Sequence, residues 1–253
     1  MWSTSSGADL DFLPSGIPRA VEAVAAALGI LVCSPVLALV AVGVRLTSPG
    51  PTIFRQPRVG RNGEAFTLVK FRTMRVNDVP HGVTASGDPR VTPLGRWLRR
   101  LKVDELPELW NIARGDMSFV GPRPEVPRYV DLANPAWRAV LRARPGITDP
   151  VTLRLINEEA VIASVPGDRE RFYLDALQPY KLAGYVEYLK RRTFLSDLGV
   201  ILRTAAAIVV PTSTPPPSVE EIRAVAAASR RSPGSAKPLR RQDQGGADPW
   251  ECS

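Results

Sequence analysis

Histidine and cysteine are nearly missing from this chain. His81 is the single histidine among 253 residues, and Cys33 and Cys252 are the two cysteines. His81 sits in Pro80-His81-Gly82, a loop signal, and reads as a solvated loop residue. A Ser-His-Asp triad or another histidine-based acid–base system is therefore disfavoured. One cysteine lies in an apolar run and the other at the tail, with no metal-ligand spacing. That disfavours a structural disulfide or a zinc site and fits a reducing compartment. Internal repeats are missing too, as are RNP-like and helix-turn-helix patterns.

Acidic charge is in the minority. Lys and Arg number 33 against 25 Asp and Glu, for a net charge of +8 and a pI near 10.0. Such a balance suits phosphate-bearing partners: nucleic acid, anionic lipid or a nucleotide diphosphate. Charge alone does not choose among them.

Residues 1–17 are rich in Ser and Gly without periodicity and read as a flexible N-terminus. Residues 18–47 contain the run from Ala23 to Val44, which is 22 residues without a charge, between Glu22 and Arg45. That length suits a membrane element. The run is long, has no strongly basic start and shows no clear cleavage site, which argues against a signal peptide. Ser34-Pro35 falls in its middle, and proline removes a backbone donor there. Two forms follow: a kinked helix that crosses, which length alone favours, or a helix-break-helix that dips in and returns. A buried core helix is the third form.

Beyond it, residues 48–210 read as one domain. Residues 52–76 predict a β-hairpin, with strand-like Thr52–Gln56 and Ala65–Phe71 around the turn Gly60-Arg-Asn62-Gly63. Thr92-Pro93 opens a short helix with Thr92 as cap, on which Arg96, Arg99 and Arg100 share one side. A second helix covers Pro107 to Arg114 and stops at Gly115. Residues 117–124 read as a stiff loop, 125–144 as helical pieces interrupted near Pro127 and Pro135, and 168–195 as helix with a break at Pro179. Leu198–Val210 is apolar but short; a surface-lying helix and a core helix both fit. Residues 211–253 form a Pro/Ser/Arg-rich tail, mostly disordered, in which Ser218-Val-Glu-Glu221 opens a short helix.

The chemistry concentrates in two basic stretches. Six Lys/Arg and one acid lie between Arg55 and Arg75, and twelve Lys/Arg and seven acids between Arg90 and Arg154. A solvated basic face is the plain reading, and a phosphate pocket the functional one. Lys70 and Arg72 at the end of a strand, and Arg123 between two prolines, are rigidly placed, which suits directed phosphate binding. Within this field sit adjacent acids, Asp104-Glu105, at the start of a helix. They are an ordinary acidic first turn, or else a carboxylate nucleophile with oxygen ligands for Mg²⁺-assisted phosphoryl transfer.

Five ordered segments, Lys70-Phe-Arg-Thr-Met74, Asp88 to Arg100, Asp104-Glu-Leu-Pro-Glu-Leu-Trp-Asn111, Gly115 to Pro124 and Arg144-Pro-Gly-Ile-Thr148, together resemble the bacterial sugar transferases. These are the monotopic phosphoglycosyl transferases that begin glycan assembly on a lipid carrier, and the resemblance spans roughly residues 18–205. It implies an α+β fold, mostly helical with a small β-hairpin, a re-entrant N-terminal membrane helix-break-helix at Ser34-Pro35 and amphipathic surface helices. It implies that Asp104 attacks the β-phosphorus of a UDP-sugar, that UMP leaves, and that polyprenyl phosphate then takes the phosphosugar from Asp104. Glu105, with Asp104, would hold Mg²⁺, and Lys70, Arg99 and Arg123 would bind phosphate. UDP-sugar, polyprenyl phosphate, membrane lipid and downstream glycosyltransferases are the implied partners, with no nucleic acid. The implied place is the bacterial inner membrane, with the catalytic domain on the cytoplasmic side. After Arg-Pro-Gly-Ile-Thr this chain departs from the family's usual continuation with Asp149-Pro150-Val-Thr-Leu-Arg154, which leaves the sugar open. A membrane-tethered nucleic-acid module would explain the charge but not the paired acids, and a degenerate, lipid-binding scaffold is at odds with the intact Asp104-Glu105.

Overall fold

A computed structural model describes residues 16–75, 84–210 and 216–231. The positions of His81, Cys252 and most of the N-terminal lead-in lie outside them. The described chain is mostly helical with small sheets.

The apolar run forms α1 (Arg19–Thr47), the one described helix long and apolar enough to cross a membrane. It continues through Pro35, so the helix-break-helix expected at Ser34-Pro35 is not seen as an interruption. Local chemistry explains the continuity. Pro35 cannot donate to the Leu31 carbonyl four residues back, and the Ser34 hydroxyl donates to that carbonyl instead, at 2.8 Å. Much of the middle of α1 is bare: Leu31, Val32 and Leu39 are each 70% exposed or more. Its two ends are tied down. Arg19 donates to the Ala113 carbonyl at 2.8 Å. Buried Glu22 accepts from the Ser118 hydroxyl and the Phe119 amide. At the other end Val44 is buried, and a Cβ on Gly43 would lie 3.3 Å from Leu94.

The hairpin forms as its pattern predicts. Strands β1 (Ile53–Val59) and β2 (Ala65–Phe71) pair antiparallel, with Ile53 opposite Phe71 and Val59 opposite Ala65. β1 runs three residues past the expected end at Gln56 and includes Pro57. Proline is tolerated because this two-stranded sheet has only edges. Asn62 and Gly63 take positive φ in the turn.

Thr92 caps α2 (Pro93–Arg100) through the Gly95 amide. After α2 the chain reverses at Lys102, in the left-handed region, into one 3₁₀ turn, Val103–Glu105. Then comes α3 (Glu108–Arg114), ended by Gly115 at φ 100°. The stretch 117–124, expected as a loop, contains β3 (Ser118–Val120), paired in parallel with β4 (Gly146–Thr148). Gly121 and Gly146 permit this approach: a Cβ on Gly146 would fall 2.2 Å from the Gly121 amide. Three-residue strands carry no visible period, so the sequence pattern does not announce them.

The proline pieces resolve by cap chemistry. Pro127 opens a 3₁₀ turn, Pro127–Tyr129, and Pro135 opens α4 (Pro135–Val140) under an Asn134 cap rather than interrupting a helix. Asp149 caps α5 (Pro150–Arg154), and α6 (Glu158–Ala163) follows. Residues 168–195 hold α7 (Arg169–Phe172), a π-helical turn at Tyr173–Leu177, and α8 (Gln178–Arg191). The chain stays helical through Pro179, so the break expected there is not seen; the wide turn just before it takes up the proline, and Arg230 donates to the Asp175 carbonyl that the missing amide leaves open. A Thr193–Ser196 capping box starts α9 (Phe194–Val209).

The stretch read as a mostly disordered tail contains α10 (Val219–Arg231), opened by Ser218. Its Ile222 and Ala226 are buried in the main core with Leu177, Tyr180 and Tyr185. A smaller cluster joins Ala26 and Ile30 of α1 to Leu109 and Ile112 of α3. A third seats Val200 of α9 against Val120 and Leu189.

Candidate active site

The 3₁₀ turn after α2 presents Asp104 and Glu105 inward. Both are buried, Asp104 at 4% exposure. Glu105 Oε1 accepts from the Arg123 guanidinium at 2.5 Å, and the Lys102 ammonium stands 3.9 Å away. One Asp104 oxygen, Oδ1, is buried without a partner. An unpaired buried carboxylate oxygen is costly, and such groups concentrate where chemistry needs them.

The carboxylates are driven apart in acidity. Burial, with Glu105 beside it, pushes Asp104 up, while Lys70, Lys102 and Arg99 pull the other way. Burial would also raise Glu105, but Arg123 and Lys102 outweigh it and hold that group down, at about 2. Glu108, at the first turn of α3, is a third acid. It is 2% exposed with Oε1 unpartnered, and burial next to Glu105 pushes it up to about 8. Burial and the neighbouring Arg58 lower Lys70, which Asp104 and Glu105 partly offset. Glu105 raises Arg123 well above its ordinary range. The result is one firmly ionised carboxylate, Glu105, two more basic ones, Asp104 and Glu108, and a ring of cations. Divergent carboxylates of this kind are a mark of reactive sites.

The sequence-predicted residues divide as follows. Lys70, Asp104, Glu105 and Arg123 share one field. Arg99 contributes to the field at Asp104, yet its guanidinium pairs with Glu159 at 2.6 Å. Arg72 does not join them. It donates to the Ser48 carbonyl at 2.7 Å and to the Ser48 hydroxyl at 2.8 Å, fastening the chain just after α1. β2 ends at Phe71, so the alternation that would keep Arg72 on the face of Lys70 stops there.

Three further residues belong to the site without having been assigned there. Lys102 gets its position from left-handed backbone geometry. Arg58 donates to the Pro124 carbonyl at 3.0 Å and faces Glu125 at 3.5 Å, bracing the loop that carries Arg123. Glu108 lies one helical turn past Glu105; the charge count included it, but only burial sets it apart.

No group of three or more His, Cys, Asp or Glu side chains fit to hold a metal occurs among the described residues. A Mg²⁺ ion is often held by only one or two carboxylates plus substrate phosphates. The paired acids, with one oxygen of Asp104 unpartnered, fit that mode.

A long apolar helix docks on a small domain in which buried carboxylates meet fixed cations, an arrangement that suits chemistry on phosphates. Comparison with known proteins makes this specific: residues 14–211 match the bacterial sugar transferase family, and the chain belongs to it. It is 38% identical over 195 residues to the UDP-glucose:undecaprenyl-phosphate glucose-1-phosphate transferase of Caulobacter vibrioides, covering 75% of this chain and 68% of that one. It is 31% identical over 207 residues to the exopolysaccharide production protein ExoY of Rhizobium meliloti, covering 75% and 84%. It is 44% identical over 139 residues to the undecaprenyl-phosphate glucose phosphotransferase of Komagataeibacter xylinus, covering 51% of this chain but only 26% of that longer protein.

Proposed function

We propose that this enzyme transfers a sugar phosphate from a UDP-sugar to polyprenyl phosphate, yielding a polyprenyl diphosphate sugar and UMP. The observation that carries the reading is Asp104: a buried carboxylate with an unpartnered oxygen, its pKa pushed above the ordinary carboxylate range by burial, amid Lys70, Lys102 and Arg99. Asp104 attacks the β-phosphorus, the bond from that phosphorus to the bridging oxygen breaks, and UMP departs with it. The phosphosugar stays on Asp104 until an acceptor phosphate oxygen displaces the carboxylate. Lys70, Arg99 and Arg123 hold phosphate oxygens as charge redistributes. Glu105, kept ionised by Arg123, and Asp104 are the residues that would hold Mg²⁺, which supplies charge neutralisation on the diphosphate when bound.

The same reading places the protein in the bacterial inner membrane with its catalytic domain towards the cytoplasm, at the first membrane step of exopolysaccharide, capsule, O-antigen or glycoprotein glycan assembly. α1 is read as re-entrant: both of its ends dock on the same charged domain, whereas a crossing helix would release one end to the far side. The test is UMP release by the detergent-purified protein with Mg²⁺, undecaprenyl phosphate and a panel of UDP-sugars. Release with one donor, abolished in Asp104→Asn while membrane association persists, is expected. Full activity in the purified variant would refute the role of Asp104.

A further inference from the structure

A groove leads away from the carboxylates. It is a cavity of about 170 Å³ that begins at Lys102 and Glu105 and runs between α3, α5 and α9, with Leu109, Leu153, Ile156 and Ile208 on its walls. Threonines reach it too, but their hydroxyl protons are already donated. Thr148 and Thr204 bond each other at 2.7 Å, Thr204 also reaches the Val200 carbonyl, and the Thr152 hydroxyl is held by Asp149. The groove thus presents little to a sugar or a uridine, both of which need hydrogen-bond partners. It suits an apolar chain with an anionic head at the Lys102 end.

The far end favours the same occupant. Ile208 lies near the end of α9, beside the outward-facing Leu202, Val209 and Val210, all more than 60% exposed. An exposed apolar flank of this kind faces lipid or a partner. A substrate whose tail stays in the bilayer needs a lateral opening on such a flank, and a soluble donor does not.

We infer that this groove seats the first isoprene units of the polyprenyl phosphate acceptor, with Lys102 receiving its phosphate. The inference rests on the sugar-transfer reading above and locates its second substrate. The acceptor phosphate then arrives beside Asp104. Its oxygen forms the new P–O bond as the bond from phosphorus to the Asp104 carboxylate breaks, which returns the free carboxylate.

The test fills the groove by Ile208→Trp and, separately, Leu153→Trp, in the full chain in nanodiscs. Two rates are read: exchange of labelled UMP into UDP-sugar, which needs no acceptor, and transfer to undecaprenyl phosphate. The expected result is a rise in KM for undecaprenyl phosphate of about tenfold or more, with exchange changed by less than about twofold. An unchanged KM, or loss of exchange in step with transfer, would overturn the groove assignment. Exchange absent from the unsubstituted protein would instead overturn the covalent reading on which the assignment stands. Photolabelling the unsubstituted protein with a benzophenone-bearing prenyl phosphate gives a readout that no folding defect can mimic. Label in α5 or α9 supports the groove; label confined to α1 counts against it.

Discussion

Replacing Glu108 with Gln should stabilise the protein in a strongly pH-dependent way. Glu108 is 2% exposed, one of its oxygens has no partner, and its pKa rises from 4.5 to about 8. Below the unfolded value both states carry the proton, and the group contributes nothing. Between 4.5 and 8 the unfolded chain ionises it and the folded protein does not, so unfolding releases a proton and stability falls as pH rises. Above 8 the loss levels off. At about 1.4 kcal/mol per unit, the gap sets a ceiling of about 5 kcal/mol, and relaxation brings the expected effect to a few kcal/mol. Glu105 does not confuse the result. Its folded pKa is lowered, so its contribution is complete above the unfolded value of 4.5 and is lost only as pH falls towards 2. Other raised carboxyls, Asp104 and Asp149 among them, tilt both proteins alike and cancel in the difference. Gln keeps the shape of the protonated acid. In thermal unfolding, Glu108→Gln should match the parent near pH 5 and gain about 5 °C or more at pH 8, since 1 kcal/mol is worth about 2–4 °C at this size. A stability difference independent of pH would refute the reasoning.

Other substitutions probe the surroundings. Arg123→Ala leaves Glu105 buried without its partner and should cost roughly 2–4 kcal/mol in denaturant unfolding; a loss under 1 kcal/mol would mean that Lys102 suffices. Glu159→Gln frees Arg99 from its 2.6 Å pair and should lower the KM for UDP-sugar, by at most about fivefold because the pair is partly exposed; a higher KM would show that Glu159 itself contacts the donor. Replacing Ser34 and Pro35 together with Ala restores the missing amide donor and should favour a crossing α1, moving its N-terminus to the opposite side in a cysteine-labelling assay; unchanged sidedness would count against the re-entrant reading.

Much of this architecture was legible in order along the chain. Twenty-two uncharged residues set α1, because a long apolar run has few other uses. The hairpin announced itself by alternation around an Asn-Gly turn, and Thr92, Gly115 and Ser218 marked helix ends, because capping and turn chemistry are local. The Asp104-Glu105 pair and the arginines around it were likewise visible as residue types. Three-dimensional packing decided the rest. The β3–β4 pairing joins segments 28 residues apart through glycines that no period reveals. Arg72 and Lys70 lie two residues apart yet serve different ends, since a strand's alternation lapses where the strand stops. α10 folds because Ile222 finds a waiting core, not because its own sequence compels it. The acidities of Asp104, Glu105 and Glu108 come from burial and from cations brought in by β1, β2, α2 and the loop after β3. A sequence can name a carboxylate, but its proton affinity depends on which distant charges and how little water the fold brings to it.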